Sequence, residues 1–272
     1  MNPFLSDYKT PFGVPPFDLI ENEHFIPAFE EGIRQQQEEI DAIVANPEAP
    51  TFENTIAAFD LSGEVLRKVD GVFSKLRSAE TSDEIDSIAK VLVPLISAHQ
   101  SDIFLNEELF ARVKTVYENQ SGAQLNQEQS RVLEKVYRRF ERGGANLDDA
   151  GKERIRKIDE KLSMLTMEFG NNLLAETNSY QLVIEDEADL AGLPESVRSA
   201  AAEIAEKAGK PGTWMFTLQK PSWIPFLQYA DNRQLREELY TAMFMRSDNG
   251  NEYDNKEIIK AVSYTHLRAH ET

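Results

Sequence analysis

The sequence predicts a mainly α-helical fold with a small β element. Through residues 23–176 the apolar residues recur every three or four positions, the spacing that places them on one face of a helix. Only two short segments, residues 180–186 and 213–219, alternate apolar and polar residues as strands do. The chain has 272 residues, which is enough to bury a full core in one large or two small domains.

Residues 1–20 are predicted to form an extended arm, because they are rich in proline and aromatic residues. Proline fixes φ and removes a backbone donor, so a regular helix is disfavoured there. Helices should then cover residues 23–45 and the segment from Thr51 through Leu76. The segment Thr81–Glu84 has the sequence of a capping box for a third helix, which Pro94 should kink.

Three more helices are expected before the first strand. Asn106 and Asn126 are suitable N-caps for the fourth and fifth helices, and the glycines at 143–144 should end the fifth. A long sixth helix should begin at Asp148 or Asp149 and continue to about Glu176. Residues 21–178 are thus predicted to form a helical amino-terminal domain.

The region after residue 179 mixes strands and helices. Between the two predicted strands, Pro194 and Gly209 bracket a helix. Residues 247–255 (SDNGNEYDN) should form a polar loop. The other helices expected here are residues 221–230, 232–246 and 256–262.

Composition narrows the classes of partner. The net charge is −18, with 47 acidic against 29 basic residues, and such a surface repels nucleic acid and anionic membranes. There is no cysteine, which excludes disulfides, thiolate zinc sites and a cysteine nucleophile. The first 20 residues lack a basic segment followed by an apolar run, and no stretch of about 18 apolar residues occurs. We therefore expect a cytoplasmic protein without nucleic-acid or membrane partners.

The last seven residues, HLRAHET, place two histidines four residues apart. An HExxH zinc helix needs a glutamate after the first histidine, but Leu267 follows His266. The inverted HxxEH form needs a glutamate before the second, but Ala269 precedes His270. Glu271 would point about 100° away from His270 in a helix. A surface pair without a bound metal is the expected interpretation.

Other candidate residues are also better explained without catalysis. His24 and His99 are predicted to cap or pack helices, and the acidic runs at 38–41 (EEID) and 83–86 (DEID) to lie on solvated helix faces. An octahedral metal site in the acidic runs is the alternative. A Ser-His-Asp triad stays open, although there is no GxSxG segment, and no phosphate-binding glycine motif occurs. The sequence therefore identifies no catalytic, cofactor-binding or metal-binding residue.

Five segments nevertheless resemble, in the expected order, the amino-terminal region of the zinc metallopeptidase family of peptidyl-dipeptidase (dipeptidyl carboxypeptidase), oligopeptidase A and thimet oligopeptidase. They are residues 11–33, 50–73, 147–174, 192–194 and 230–249, within a resemblance that covers about residues 2–262. The GVPPF segment is most similar to the peptidyl-dipeptidase branch.

The resemblance implies a helical, two-lobed enzyme with a channel that admits short peptides. Such an enzyme would use one zinc ion, held by HExxH and a later glutamate, and the peptidyl-dipeptidase branch would release C-terminal dipeptides. Residues 179–262 would begin the peptidase region. No residue of this chain matches the zinc helix, so no catalytic residue is carried over and the fragment is expected to bind no zinc and to be inactive.

Residues 263–272 (SYTHLRAHET) do not resemble the family, so we expect a truncated chain with a foreign tail. The alternative is a stand-alone helical binding or scaffold protein whose end is genuine. Truncation also predicts an exposed apolar surface within residues 213–262, where side chains would face a missing lobe. Its predicted members are Trp214, Phe216, Ile224, Phe226, Leu227, Leu239 and Phe244.

Overall fold

Helical segments, including short 3-10 and π segments, make up 71% of the residues that the structure describes, which confirms the predicted mainly α-helical class. The computed structural model describes residues 2–261. They divide into two compact units, the first ending at Met164 and the second beginning at Leu165. The domain boundary expected near residue 178 stays a prediction.

Seven helices begin in the described part of the first unit. They are α1 (Phe25–Val44), α2 (Ala58–Leu61), α3 (Glu64–Ala79), α4 (Asp83–Phe104), α5 (Glu107–Glu118), α6 (Gln127–Gly143) and α7 (Asp149–Ser179). Both predicted asparagine caps are confirmed, because Asn106 Oδ1 accepts from Leu109 N at 2.8 Å and Asn126 Oδ1 from Gln129 N at 2.9 Å. Gly144 follows α6 with a φ of 97°, as expected of a glycine that ends a helix.

The helix predicted from Thr51 through Leu76 is interrupted, so that prediction was wrong. A π-helical segment, Phe52–Ala57, leads into α2, and α3 begins only after Ser62 and Gly63. Gly63 has a φ of 75°, which glycine adopts without strain, and its N–H donates to the carboxylate of Glu39 on α1 at 2.6 Å. This hydrogen bond satisfies a backbone donor that the start of α3 leaves free.

The cap of α4 is shifted by one residue from the prediction. Ser82, not Thr81, supplies the hydroxyl that accepts from Ile85 N at 3.2 Å. The backbone of Ser82 is extended and Asp83 is the first helical residue, so Ser82 is the residue with cap geometry. The helix continues past Pro94 to Phe104.

An aromatic cluster lies in the core of the first unit. Phe140 is fully buried and contacts Phe104, Phe59 and Phe110, with ring centroids 5.0, 5.6 and 5.9 Å away. Phe4 of the amino-terminal arm is also fully buried and packs on Phe25 of α1. One cluster of buried residues in this unit consists of Ile40, Ile43, Ile56, Ile103, Leu109, Phe110, Val113, Val116, Leu133, Phe140 and Ala145.

The second unit contains the predicted β element. Strands β1 (Leu182–Ile184) and β2 (Trp214–Phe216) are antiparallel, with Leu182 opposite Phe216 and Ile184 opposite Trp214. Both strands are shorter than predicted. The helices of this unit after α7 are α8 (Glu195–Lys207), α9 (Lys220–Tyr229), α10 (Arg233–Phe244) and α11 (Lys256–Ala261).

The sheet, α8, α9 and α10 enclose a second core, which corrects the predicted exposed surface. Its buried members are Leu182, Ile184, Leu190, Leu193, Ala201, Phe216, Leu218, Phe226, Ala230 and Leu239. Phe216, Phe226 and Leu239 were thus wrongly expected to be exposed. Trp214 and Leu227 are partly buried against this core and Ile224 is partly buried, whereas Phe244 is 62% exposed, as predicted.

Between residues 2 and 261, no single helix has the length and apolar character needed to cross a membrane. The helices α4 and α5 meet that criterion only as a pair, bent by 53° at the break between them.

Candidate functional site

A cleft of about 320 Å³ opens in the first unit between α1, α2, α3, α4 and α6. We call it the charged cleft, because Asp60, Arg67, Asp70 and Arg139 line it. Its apolar lining includes Phe29, Phe59, Leu66, Ile96, Ile103 and Phe104. It therefore combines an apolar lining with charges of both signs.

A hydrogen-bonded chain forms one wall of the charged cleft. His99 Nε2 lies 2.8 Å from Gln36 Oε1, so the ring nitrogen is the donor. Gln36 Nε2 donates to Ser62 Oγ at 3.3 Å, and Ser62 Oγ donates to Phe59 O at 2.8 Å. Burial lowers the pKa of His99, and the negative charge of Asp102 opposes this shift. His99 is thus buried and bonded to a neighbouring helix, in agreement with its predicted packing role.

Two exposed charged groups in this cleft make no hydrogen bond or ion pair with another group among residues 2–261. The guanidinium of Arg139 lies 4.2 Å from the ring centroid of Phe104, and neither Arg139 nor Asp70 makes a hydrogen bond or ion pair. Both side chains keep contact with solvent, but desolvation lowers the pKa of Arg139 and raises the pKa of Asp70. Arg67 differs, because it donates to the backbone carbonyls of residues 60–62.

A second cleft of about 470 Å³ adjoins the charged cleft in the first unit. Ile96, Gln100, Phe104 and Arg139 line both clefts. Arg139 and the Phe104 ring beneath it therefore form a shared border.

In the second unit, one buried carboxylate organises the predicted polar loop. Glu176 is 7% exposed and accepts hydrogen bonds from Asn249 Nδ2 at 2.9 Å, from Asn251 Nδ2 at 2.6 Å and from the backbone N–H of Ser247. Burial alone would raise the pKa of Glu176, but these three donors outweigh it and hold the pKa below its ordinary value. This arrangement, which we call the Glu176 clamp, fixes residues 247–251 to α7.

The remaining sequence candidates make structural contacts. His24 Nδ1 accepts from Glu21 N at 3.0 Å, which confirms a capping role. In the acidic runs, Glu39 binds the N–H of Gly63, and Glu84 accepts from Asn22 Nδ2 at 2.8 Å. The pair His266 and His270, with the whole segment 263–272, lies outside the described residues.

Within the described range 2–261, no three His, Asp or Glu side chains are grouped so that they could hold a metal ion. The absence of catalytic residues stays a prediction. The sequence analysis missed Asp70 and Arg139, which lie in helices α3 and α6 that carry many charges. A signal was present, because Asp70 is four residues after Leu66 and Arg139 is three after Val136, so each charge shares a helix face with an apolar residue.

Comparison with known proteins identifies relatives along nearly the whole chain, although no family model matches it. The chain is 37% identical over 262 residues to dipeptidyl carboxypeptidase of Escherichia coli strain K12, a match that covers 96% of this chain and 38% of that protein. The same enzyme of Salmonella typhimurium is 34% identical over 261 residues, again with 96% and 38% coverage. Oligopeptidase A of Escherichia coli is 31% identical over 265 residues, with 96% and 38% coverage. The chain thus spans about 38% of the length of these relatives, and it is related to the dipeptidyl carboxypeptidase and oligopeptidase A family of peptidases, as its sequence segments indicate.

Proposed function

We propose that this chain is the amino-terminal part of a zinc-dependent peptidase that releases dipeptides from the C-terminus of short peptides. The observation that carries the proposal is the 37% identity to a dipeptidyl carboxypeptidase over 96% of the chain. Identity to oligopeptidase A is lower, at 31%, which favours the dipeptide-releasing branch. We also propose a cytoplasmic location, and the net charge of −18 disfavours nucleic-acid and anionic-membrane partners.

We propose zinc because of the resemblance to the peptidase family, and not because of any group of side chains in the described residues. A catalytic zinc site needs three protein ligands and an open position for water. No such group of side chains lies among residues 2–261, so these residues cannot provide a zinc site by themselves. We therefore assign no step of peptide hydrolysis to a residue of this chain and propose that the chain alone is inactive.

A segment replacement tests the proposal. The part of Escherichia coli dipeptidyl carboxypeptidase that matches this chain would be exchanged for residues 2–262. The chimera should release dipeptides from an amino-terminally blocked tetrapeptide, and a chelator should abolish the activity. The 272-residue chain alone should release none under the same conditions.

Two results would contradict the proposal. One is a chimera that folds, as judged by circular dichroism, yet cleaves no peptide. This result would favour the alternative of a stand-alone binding or scaffold protein. The other is dipeptide release by the purified chain, which would mean that a catalytic centre lies within its 272 residues. The variants His266→Ala and His270→Ala would then show whether the terminal histidines take part.

A further inference from the structure

We propose that the charged cleft binds a small zwitterion with an apolar side chain, either a free amino acid or a dipeptide. The ligand carboxylate would bind Arg139 and its ammonium group would bind Asp70. The proposal does not depend on peptidase activity, because the cleft is complete within the first unit.

The size and lining of the cleft favour a small, partly apolar ligand. Its volume of about 320 Å³ is at the lower end of the range for small-molecule pockets, about 300–1,000 Å³. Phe29 and Ile103, which are 0% and 4% exposed, form part of its lining together with Phe59 and Ile96. An apolar ligand side chain would therefore lose water against apolar groups.

The unpaired charges specify the two ends of the ligand. Asp70 and Arg139 are both exposed, so water solvates them in the empty cleft, and neither makes a hydrogen bond or ion pair within the described residues. Their polar groups are therefore available to a ligand. The guanidinium carbon of Arg139 lies 4.2 Å from the Phe104 ring centroid, and its N–H groups, which make no hydrogen bond within residues 2–261, can bind a carboxylate. Asp70 offers acceptor oxygens only, which suits an ammonium group.

The balance of charge disfavours ligands that carry one sign alone. Two acidic residues, Asp60 and Asp70, and two basic residues, Arg67 and Arg139, line the cleft. The carbonyls that Arg67 binds occupy its donors but do not cancel its charge. An anion would meet Asp70 and a cation would meet Arg139, whereas a zwitterion matches both.

The test measures binding of four ligands to the 272-residue chain by equilibrium dialysis. They are L-leucine, the dipeptide Leu-Ala, N-acetyl-leucine, which lacks the ammonium group, and leucinamide, which lacks the carboxylate. We expect leucine or Leu-Ala to bind at least about tenfold more tightly than either blocked compound, because each loses a charge-assisted hydrogen bond. Whichever of the two binds more tightly identifies the source of the ligand.

Variants then separate direct contact from general damage. With Arg139→Gln, leucine and leucinamide should bind equally, and with Asp70→Asn, leucine and N-acetyl-leucine should bind equally. Arg138→Gln is the matched control, because Arg138 is the preceding residue on α6 and pairs with Glu134 at 2.7 Å. It should keep the wild-type preferences.

Three results would overturn the proposal. They are no binding of leucine or Leu-Ala to the folded wild-type chain, equal binding of all four ligands, and folded Arg139→Gln and Asp70→Asn chains that retain the wild-type preferences.

Discussion

The substitution Glu176→Ala should weaken the second unit by removing the acceptor of the Glu176 clamp. The carboxylate receives three hydrogen bonds, from the N–H of Ser247 and from the amide groups of Asn249 and Asn251. The alanine side chain has no acceptor, so it replaces none of these three hydrogen bonds. The loop that begins at Ser247 would lose its attachment to α7 at this point.

The magnitude follows from the burial of each donor. Ser247 is 4% exposed, so its N–H would be left without water or protein, at a cost of about 1–3 kcal/mol. Asn249 and Asn251 are exposed and can bind water instead, so each contributes only about 0.5–1 kcal/mol. We expect Glu176→Ala to lower the free energy of unfolding by about 3 kcal/mol. Glu176→Gln keeps one acceptor oxygen and should lower it by about 1–2 kcal/mol.

Tryptophan fluorescence in a urea titration is a suitable assay. Both tryptophans of the chain, Trp214 and Trp223, lie in the second unit, so the signal reports on that unit. Glu168→Ala is the matched control, since Glu168 is exposed on the same helix, and it should change the free energy by no more than about 0.5 kcal/mol. If Glu176→Ala changes stability no more than Glu168→Ala, the clamp does not stabilise the unit and the reasoning fails.

Three further predictions concern the same two units. The pKa of Glu176 is depressed, so its stabilising contribution is present above the ordinary value of 4.5 and is lost as the pH falls below it. The free energy of unfolding, measured by fluorescence, should therefore fall more steeply with decreasing pH in the wild type than in Glu176→Gln. Equal slopes in the two proteins would contradict this. A Cβ at Gly192, where φ is 85°, would lie 2.2 Å from Tyr229 O. In the urea titration, Gly192→Ala should therefore lower the free energy of unfolding clearly more than Gly209→Ala, where the positive φ of 75° alone predicts a loss of about 1–2 kcal/mol. Equal losses would refute the steric argument. Phe140→Ala should lower the free energy of unfolding by about 3–5 kcal/mol, because Phe140 is fully buried. Circular dichroism is the suitable assay, since the first unit has no tryptophan. A loss below about 1 kcal/mol would contradict tight packing around this ring.

Features that depend on a few neighbouring residues could be predicted from the sequence. Asn106, Asn126 and Gly144 were predicted correctly, because a cap or a helix end is decided within about one turn. The break at 62–63 was missed, because apolar residues continue at helical spacing on both sides of it. The carboxylate that binds the N–H of Gly63 comes from Glu39, 24 residues earlier. No local pattern contains that contact.

The candidate site was predictable only in part. The sequence places Asp70 and Arg139 on apolar helix faces, but α3 and α6 are far apart along the chain and their convergence is a property of the packed unit. Whether a charge has a partner also depends on every neighbouring element. The predicted exposure of Phe216 failed for a related reason, because β1 and α9 cover it from within the same unit.

The two hydrophobic cores occupy separate, consecutive stretches of the sequence. The buried apolar residues of the first unit extend from Phe4 to Ile158 and the core of the second from Leu182 to Leu239, so neither contains a residue from the stretch of the other. As the ribosome makes the chain, every residue of the first core is complete before the second is begun. The helical unit can therefore close its core during translation, while the strands are still unmade. A premature stop between residues 164 and 182 would leave the described part of the first unit in place and remove the second core entirely.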